Sequence, residues 1–147
     1  MPTPEIQFRL VRLDEILDLR WVVLRAGLPR EAAKFEGDDD PTAHHFAALE
    51  NKDAIACATL LRREFEDKPA WQLRGVAVRA DYQKRGLGTQ LLDFAEQFVQ
   101  PQNYSKRFWC NARVSASAFY ERRGWRIVSE PFAVIHAGPH VKMLKDS

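Results

Sequence analysis

The chain has 147 residues, of which 46% are hydrophobic and 29% charged, with a formal net charge of +2. That length suits one domain with its own core, the composition argues against disorder, and so small a charge does not by itself indicate a nucleic-acid partner. No apolar run reaches membrane-spanning length and the opening "MPTPEIQFRL" has no apolar core, so a cytoplasmic protein without membrane contact is expected.

"IQFRLV" (Ile6–Val11) alternates as a strand does. Asp14 is placed to cap a following helix in which Leu17, Trp21 and Leu24 recur at helical spacing and Gly27 is the stop. "LPREAAKF" reads as a short helix and "EGDDDPTA" as a loop, with Asp38-Asp39-Asp40 either attracting a cationic molecule or simply solvated. "HHFAALE", Asn51-Lys52-Asp53 and "AIACATLLRR" read as strand, tight turn and strand. After the connector "EFEDKPA", the strand "WQLRGVAV" leads through a glycine turn into a helix carrying Leu91, Leu92, Ala95, Phe98 and Val99 on one face. "RFWCN" is a strand, and "VSASAFYERRG" a helix with Ser115 as cap and Gly124 as stop. "WRIV" and "HVKML" close the fold as strands, separated by a loop containing Gly138 and Pro139. Cys57 and Cys110 sit in apolar strand-like runs without metal-ligand spacing, so no metal and no disulfide framework are expected. This order of elements predicts a single α/β (α+β) domain, residues 1–147, built around one sheet.

Two features carry chemistry. Gly86 and Gly88 frame a helix start, where unpaired amides and the positive dipole end favour an anion, and Lys84, Arg85 and Thr89 add further donors. The turn lacks the Gly-Lys-Ser/Thr ending of a triphosphate loop and the three glycines of a dinucleotide fingerprint. Just upstream, Trp71 and Leu73 hold one side-chain phase while Val76 and Val78 hold the other, a one-residue slip at Gly75 that fits a β-bulge.

"VAVRADYQKRGLGTQLL" resembles the acetyl-CoA signature of the GNAT N-acetyltransferase superfamily, with Gln83-Lys84-Arg85-Gly86-Leu87-Gly88 as its Gln/Arg-x-x-Gly-x-Gly/Ala core. "NARVSASAFYERRGWRIV", from Asn111, is similar to the family's second element, with Trp125 where an aromatic, usually Phe, is expected. The two stand in the family's order and spacing. The resemblance implies one mixed, mostly antiparallel sheet with a splayed, bulged central strand, and acetyl-CoA as co-substrate. The pyrophosphate would lie on the amides of Gln83, Lys84, Arg85, Gly86, Leu87, Gly88 and Thr89. The pantetheine arm would run beside Val76, Ala77 and Val78, with the Val76 N–H polarising the thioester carbonyl. Asn111 would bond the arm from the far side, and Ala116 and Ser117 would let their helix come close.

The resemblance also makes Tyr120, in Phe119-Tyr120-Glu121, the donor of a proton to the departing thiolate. A core tyrosine bonded to backbone is the alternative. Glu121, Arg122 and Arg123 read as a solvated helix face. Many relatives carry a glutamate on the bulged strand to deprotonate the amine; here that strand carries Gln72 and Arg74. His140 is then the candidate base, since imidazole titrates near neutrality. The expected reaction is direct acetyl transfer to a primary amine, small molecule or peptide, in a ternary complex. The alternative is a non-catalytic acyl-CoA-binding module of the same fold. Nucleic acid is not an expected partner, because the basic residues lie on separate elements without a stacking platform. Dimers are common in the family, so a homodimer is open.

Overall fold

The computed structural model describes residues 5–146; the first four residues of the N-terminal stretch lie outside it. Strand β1 (Ile6–Val11) is followed by a single tight turn, Leu13–Glu15, and helix α1 (Leu17–Leu24). Asp14 does not cap that helix: its carboxylate takes the Arg12 Nε at 3.1 Å, and Glu15 accepts the Arg12 backbone N–H at 2.6 Å instead. Strands β2 (His44–Glu50), β3 (Asp53–Arg62) and β4 (Trp71–Val78) precede helix α2 (Leu87–Val99). Then come β5 (Arg107–Arg113), the short α3 (Ser117–Glu121), β6 (Arg126–Ile127), β7 (Phe132–Val134) and β8 (Gly138–Asp146). One mixed sheet runs in the order β1-β2-β3-β4-β5-β8-β6, with β7 also on β8. Every pairing is antiparallel except β4 with β5. Among the described residues no helix is long and apolar enough to cross a membrane.

Both faces of the sheet are covered, which is why β2 and β3 are apolar at nearly every position rather than alternately. Phe46, Ala48, Ala56 and Ala58 share one core with Leu87, Leu91, Leu92 and Ala95 of α2. Ala47, Leu49 and Cys57, one residue out of phase, face Ile16 and Leu19 of the α1 segment. Each leucine so enclosed contributes about 1.5–3 kcal/mol.

The third segment of the fold departs from the sequence reading. Ser115 caps nothing: Val114–Ala116 form a tight turn, the cap position of α3 is Ala116, and the Ser117 hydroxyl bonds the Val114 carbonyl at 2.8 Å. Gly138 and Pro139 are the first residues of β8, not a loop, and pair with Val134 and Ala133 of β7. Three-residue β7 is too short for alternation to reveal, and Pro139 is tolerated because a strand's first residues need not donate to the ladder.

The slip in β4 is present. Cys57 pairs with Ala77 but Thr59 pairs with Arg74, so one extra β4 residue is accommodated, with Gly75 at φ +63°. The extra residue returns Val76 and Val78 to the same core as Trp71 and Leu73, while Ala77 joins the opposite one. Beneath the bulge lies a fully buried ion pair. Arg20 reaches Asp38 with Nη1 at 2.6 Å and Nη2 at 3.1 Å, and also donates to the Thr59 hydroxyl at 2.8 Å and the Ala33 carbonyl at 3.1 Å. Asp38 accepts the Phe35 N–H at 2.6 Å as well. Asp38 is therefore neither a lure for cations nor solvated; Asp39 and Asp40 stay nearer the surface.

A Cβ on Gly75 would lie 2.9 Å from the Arg20 Nε, in a backbone conformation that already disfavours side chains. Gly75→Ala is expected to lower stability by about 1–3 kcal/mol. A lower denaturation midpoint at unchanged slope checks this.

Candidate functional site

The glycine turn and helix α2 are built as anticipated, but the two glycines differ in their surroundings. Gly86 caps α2 in the left-handed region at φ +80°, and nothing lies within 4 Å of where its Cβ would stand. A Cβ on Gly88 would instead meet the Phe119 ring of α3 at 3.3 Å, so that position is held small by packing. Gln83 ties the turn to the end of β4 through Nε2 to the Val78 carbonyl at 2.9 Å. Lys84 sits at φ +64°, and Arg85 lies over the Tyr82 ring at 5.1 Å. The first-turn amides of Leu87, Gly88 and Thr89 have no carbonyl to meet inside the helix.

Strands β4 and β5 pair only from Trp71–Leu73 to Phe108–Cys110 and then part, although β4 runs on to Val78 and β5 to Arg113. The parted edges leave β4 unpaired on its β5 side at Val76, Ala77 and Val78. They also open a cavity of about 330 Å³ lined by Gly75, Val76, Asn111, Ala116, Tyr120 and His140 among others. Ser117 does not line it. The cleft therefore brings together the bulge, Asn111, the tyrosine and the histidine; the glycine turn lies beyond it, after the end of β4.

Tyr120 is buried and approaches the cleft from the α3 side. Its hydroxyl has no protein partner among the described residues, unlike that of a core tyrosine bonded to backbone. Burial, with a contribution from Cys110, raises its pKa, so the phenol stays protonated. Cys110 lines the same cleft, and burial pushes its thiol up to about 12.

His140 is paired with Arg113 across β5 and β8, and its ring is buried. Its Nδ1 lies 2.9 Å from the Gly138 carbonyl. A carbonyl can only accept, so Nδ1 carries a proton, and in the neutral ring the lone pair is on Nε2. Lys142, on β8, is half-buried. It donates to the Asn111 Oδ1 at 3.2 Å and lies over the Trp109 and Phe132 rings at 5.2 and 5.4 Å.

Residues that the sequence reading did not assign to the site are three arginines in the same cavity wall: Arg25 from the end of α1, Arg74 from the bulged strand and Arg113 from the end of β5. None has a carboxylate within ion-pairing distance among the described residues. Arg25 bonds the Leu24 carbonyl at 2.9 Å and stacks 4.8 Å from Phe35. Arg113 reaches the same carbonyl at 3.5 Å. Arg74 bonds Gln72 at 2.5 Å and the Glu36 carbonyl, while the Glu36 carboxylate is taken by Arg63 at 2.9 Å. Burial, then Arg113 and Arg20, pulls Arg25 below the usual guanidinium range, and burial followed by Arg63 does the same to Arg74. Gln72, Asn111 and His140 complete a polar wall without any carboxylate. A charged residue inside a central strand was the available signal for Arg74.

The sequence profile of the Acetyltransferase (GNAT) family matches residues 11–125, and the chain belongs to that family. The N-acetyltransferase YitI of Bacillus subtilis (strain 168) is 24% identical over 143 residues, 95% of each chain. A crystal structure of an N-acetyltransferase from Lactobacillus plantarum superposes with a TM-score of 0.75 at 22% identity, covering 99% of both chains. An aminoglycoside 6'-N-acetyltransferase complexed with coenzyme A does so at 0.75 and 15%, covering 95% of this chain and 96% of that one. These structural likenesses show the fold.

One buried group beside the site titrates with folding. The His45 Nε2 faces the Asp38 carbonyl at 3.2 Å and must donate, so Nδ1 accepts from the Thr59 hydroxyl at 2.8 Å and the ring is neutral. Burial lowers its pKa, assisted by Arg20. The unfolded chain takes up a proton near pH 6.5 that the fold refuses. The stability contributed by neutral His45 is therefore complete above about pH 6.5 and is lost as pH falls below it. Thermal midpoints between pH 7.5 and 5.5 should fall less steeply in His45→Gln than in the native protein.

Proposed function

We propose that the protein transfers acetyl from acetyl-CoA to the primary amine of a small anionic molecule, an amine that also carries a carboxylate or phosphate. The observation that carries the acceptor reading is the wall of Arg25, Arg74 and Arg113, three guanidiniums turned to one cavity without carboxylate partners. Unpaired, partly desolvated cations favour an anion, and planar guanidinium forks suit carboxylate and phosphate. Polyamines and cationic aminoglycosides would meet repulsion there.

The chemistry follows from the same wall. An alkylammonium, with a pKa about that of lysine at 10.4, has no lone pair. Nearby guanidinium charge disfavours the ammonium form and so eases loss of the proton. The His140 Nε2 lone pair takes that proton, which replaces the strand glutamate that this chain lacks. The neutral nitrogen attacks the thioester carbon, and the developing oxyanion is met by the Val76 N–H at the bulge. As the tetrahedral centre collapses, the C–S bond breaks and the electron pair leaves on sulfur. Tyr120 gives its proton to that sulfur, and the phenolate recovers one from the attacking nitrogen, which must lose its second proton to become an amide. A thiolate expelled into a partly desolvated cleft is more basic than in water, which favours this transfer. No cysteine is needed to carry the acetyl group.

A panel of amines, followed by CoA thiol release, tests the acceptor reading. Anionic amines should be acetylated and their amides or cationic counterparts should not, and Arg74→Gln should raise KM for the anionic acceptor about 10–100-fold. Preference for polyamines would contradict it.

The two proton-handling residues are separable. Tyr120→Phe should lower turnover by about 10²–10⁴ with little change in acetyl-CoA affinity. The loss in His140→Ala should instead shrink at high pH, where free amine is abundant. A loss uniform across pH would remove His140 from proton transfer.

A further inference from the structure

We propose that Arg123 is a cofactor-positioning residue. It holds the Thr89 hydroxyl so that its proton is offered to the CoA pyrophosphate, and it braces the tyrosine-bearing helix to the phosphate turn. The inference rests on the CoA reading above and extends it to a residue that the sequence reading left on a solvated face.

Arg123 follows α3 and is half-buried, whereas its neighbours Glu121 and Arg122 are exposed. Its Nη1 lies 2.6 Å from the Thr89 Oγ1, a contact between segments 34 residues apart in the chain. A guanidinium has donors only, so Thr89 accepts with its oxygen and must direct its own hydrogen elsewhere. Thr89 is the third residue of α2, where the backbone amides have no intrahelical acceptors. A hydroxyl fixed as a donor there adds to the amides instead of competing with them for the same oxygen.

The guanidinium also sits 5.2 Å from the Phe119 ring centroid, and Phe119 is the residue that packs on Gly88. Asp93 stands at 4.0 Å, the limit of an ion pair, so the charge is little neutralised and reinforces the positive end of α2. Phosphate binding and placement of Tyr120 thus share one brace.

The test is a double-mutant cycle on Thr89→Val and Arg123→Gln, with acetyl-CoA affinity by calorimetry and steady-state kinetics on each protein. Arg123→Gln is expected to raise Kd and KM for acetyl-CoA about 10-fold or more, with a smaller fall in kcat from the loosened Tyr120 helix. The double variant should be no weaker than the weaker single, because both changes remove one interaction. Arg123→Lys, which keeps the charge, should recover part of the affinity. Additive effects, an unchanged KM, or a fall confined to kcat would overturn the proposal, the last by assigning Arg123 to the support of Tyr120 alone. Native protein that does not bind acetyl-CoA would overturn the cofactor reading itself, and this inference with it.

Discussion

Burying an arginine and an aspartate together costs several kcal/mol per ion before their mutual attraction is counted, and here that pair seats the bulge at Gly75. The two Arg20 Nη atoms are satisfied by Asp38, Thr59 and the Ala33 carbonyl, while its Nε has no hydrogen-bond partner among the described residues and lies against the one β4 position without a side chain. With the arginine there, Gly75 takes a left-handed backbone. With Gly75 left-handed, β4 carries one residue too many and turns away from β5. The cleft, its unladdered β4 edge and the inward placement of Arg74 all follow from that displacement. Removing only one partner of such a pair leaves an uncompensated buried charge, so the segment Phe35–Asp38 and the bulge are linked in stability.

The electrostatics of the cleft are consistent with the proposed transfer in a way that neither sheet nor motif alone conveys. A carboxylate base would need a site that tolerates negative charge. This site instead gathers guanidiniums on one wall, a histidine whose free nitrogen is fixed by the Gly138 carbonyl, and a phenol kept protonated by burial. The cations favour both an anionic acceptor and the neutral form of its amine. The absence of a strand glutamate and the presence of Arg74 on that strand are thereby one feature.

Much of this was legible in the chain. Period-two and helical patterns placed the long elements, the phase slip around Gly75 identified the bulge, and two spaced motifs identified the family. Tyr120 and His140, nominated from a helix and from the last strand, line one cavity. What escaped depended on contacts between distant segments. Asp38 looked like part of a solvated acidic run because its partner Arg20 lies a helix away. Arg25 and Arg113 gained meaning only when α1 and β5 converged on the cleft. Capping assignments at Asp14 and Ser115 failed because tight turns preceded both helices, which shifted the free amides to other residues. Gly88 is also held small by Phe119, a contact that no local pattern shows.

The central claim is that the parted edge of β4 receives the cofactor as an added strand would. Residue-resolved amide hydrogen exchange with and without acetyl-CoA measures this directly. The account predicts that acetyl-CoA protects amides in two patches at once, Val76 or Val78 on β4 and Gly86 to Thr89 at the start of α2. Protection confined to the helix start, with Gly75 to Val78 exchanging as in the free protein, would contradict it.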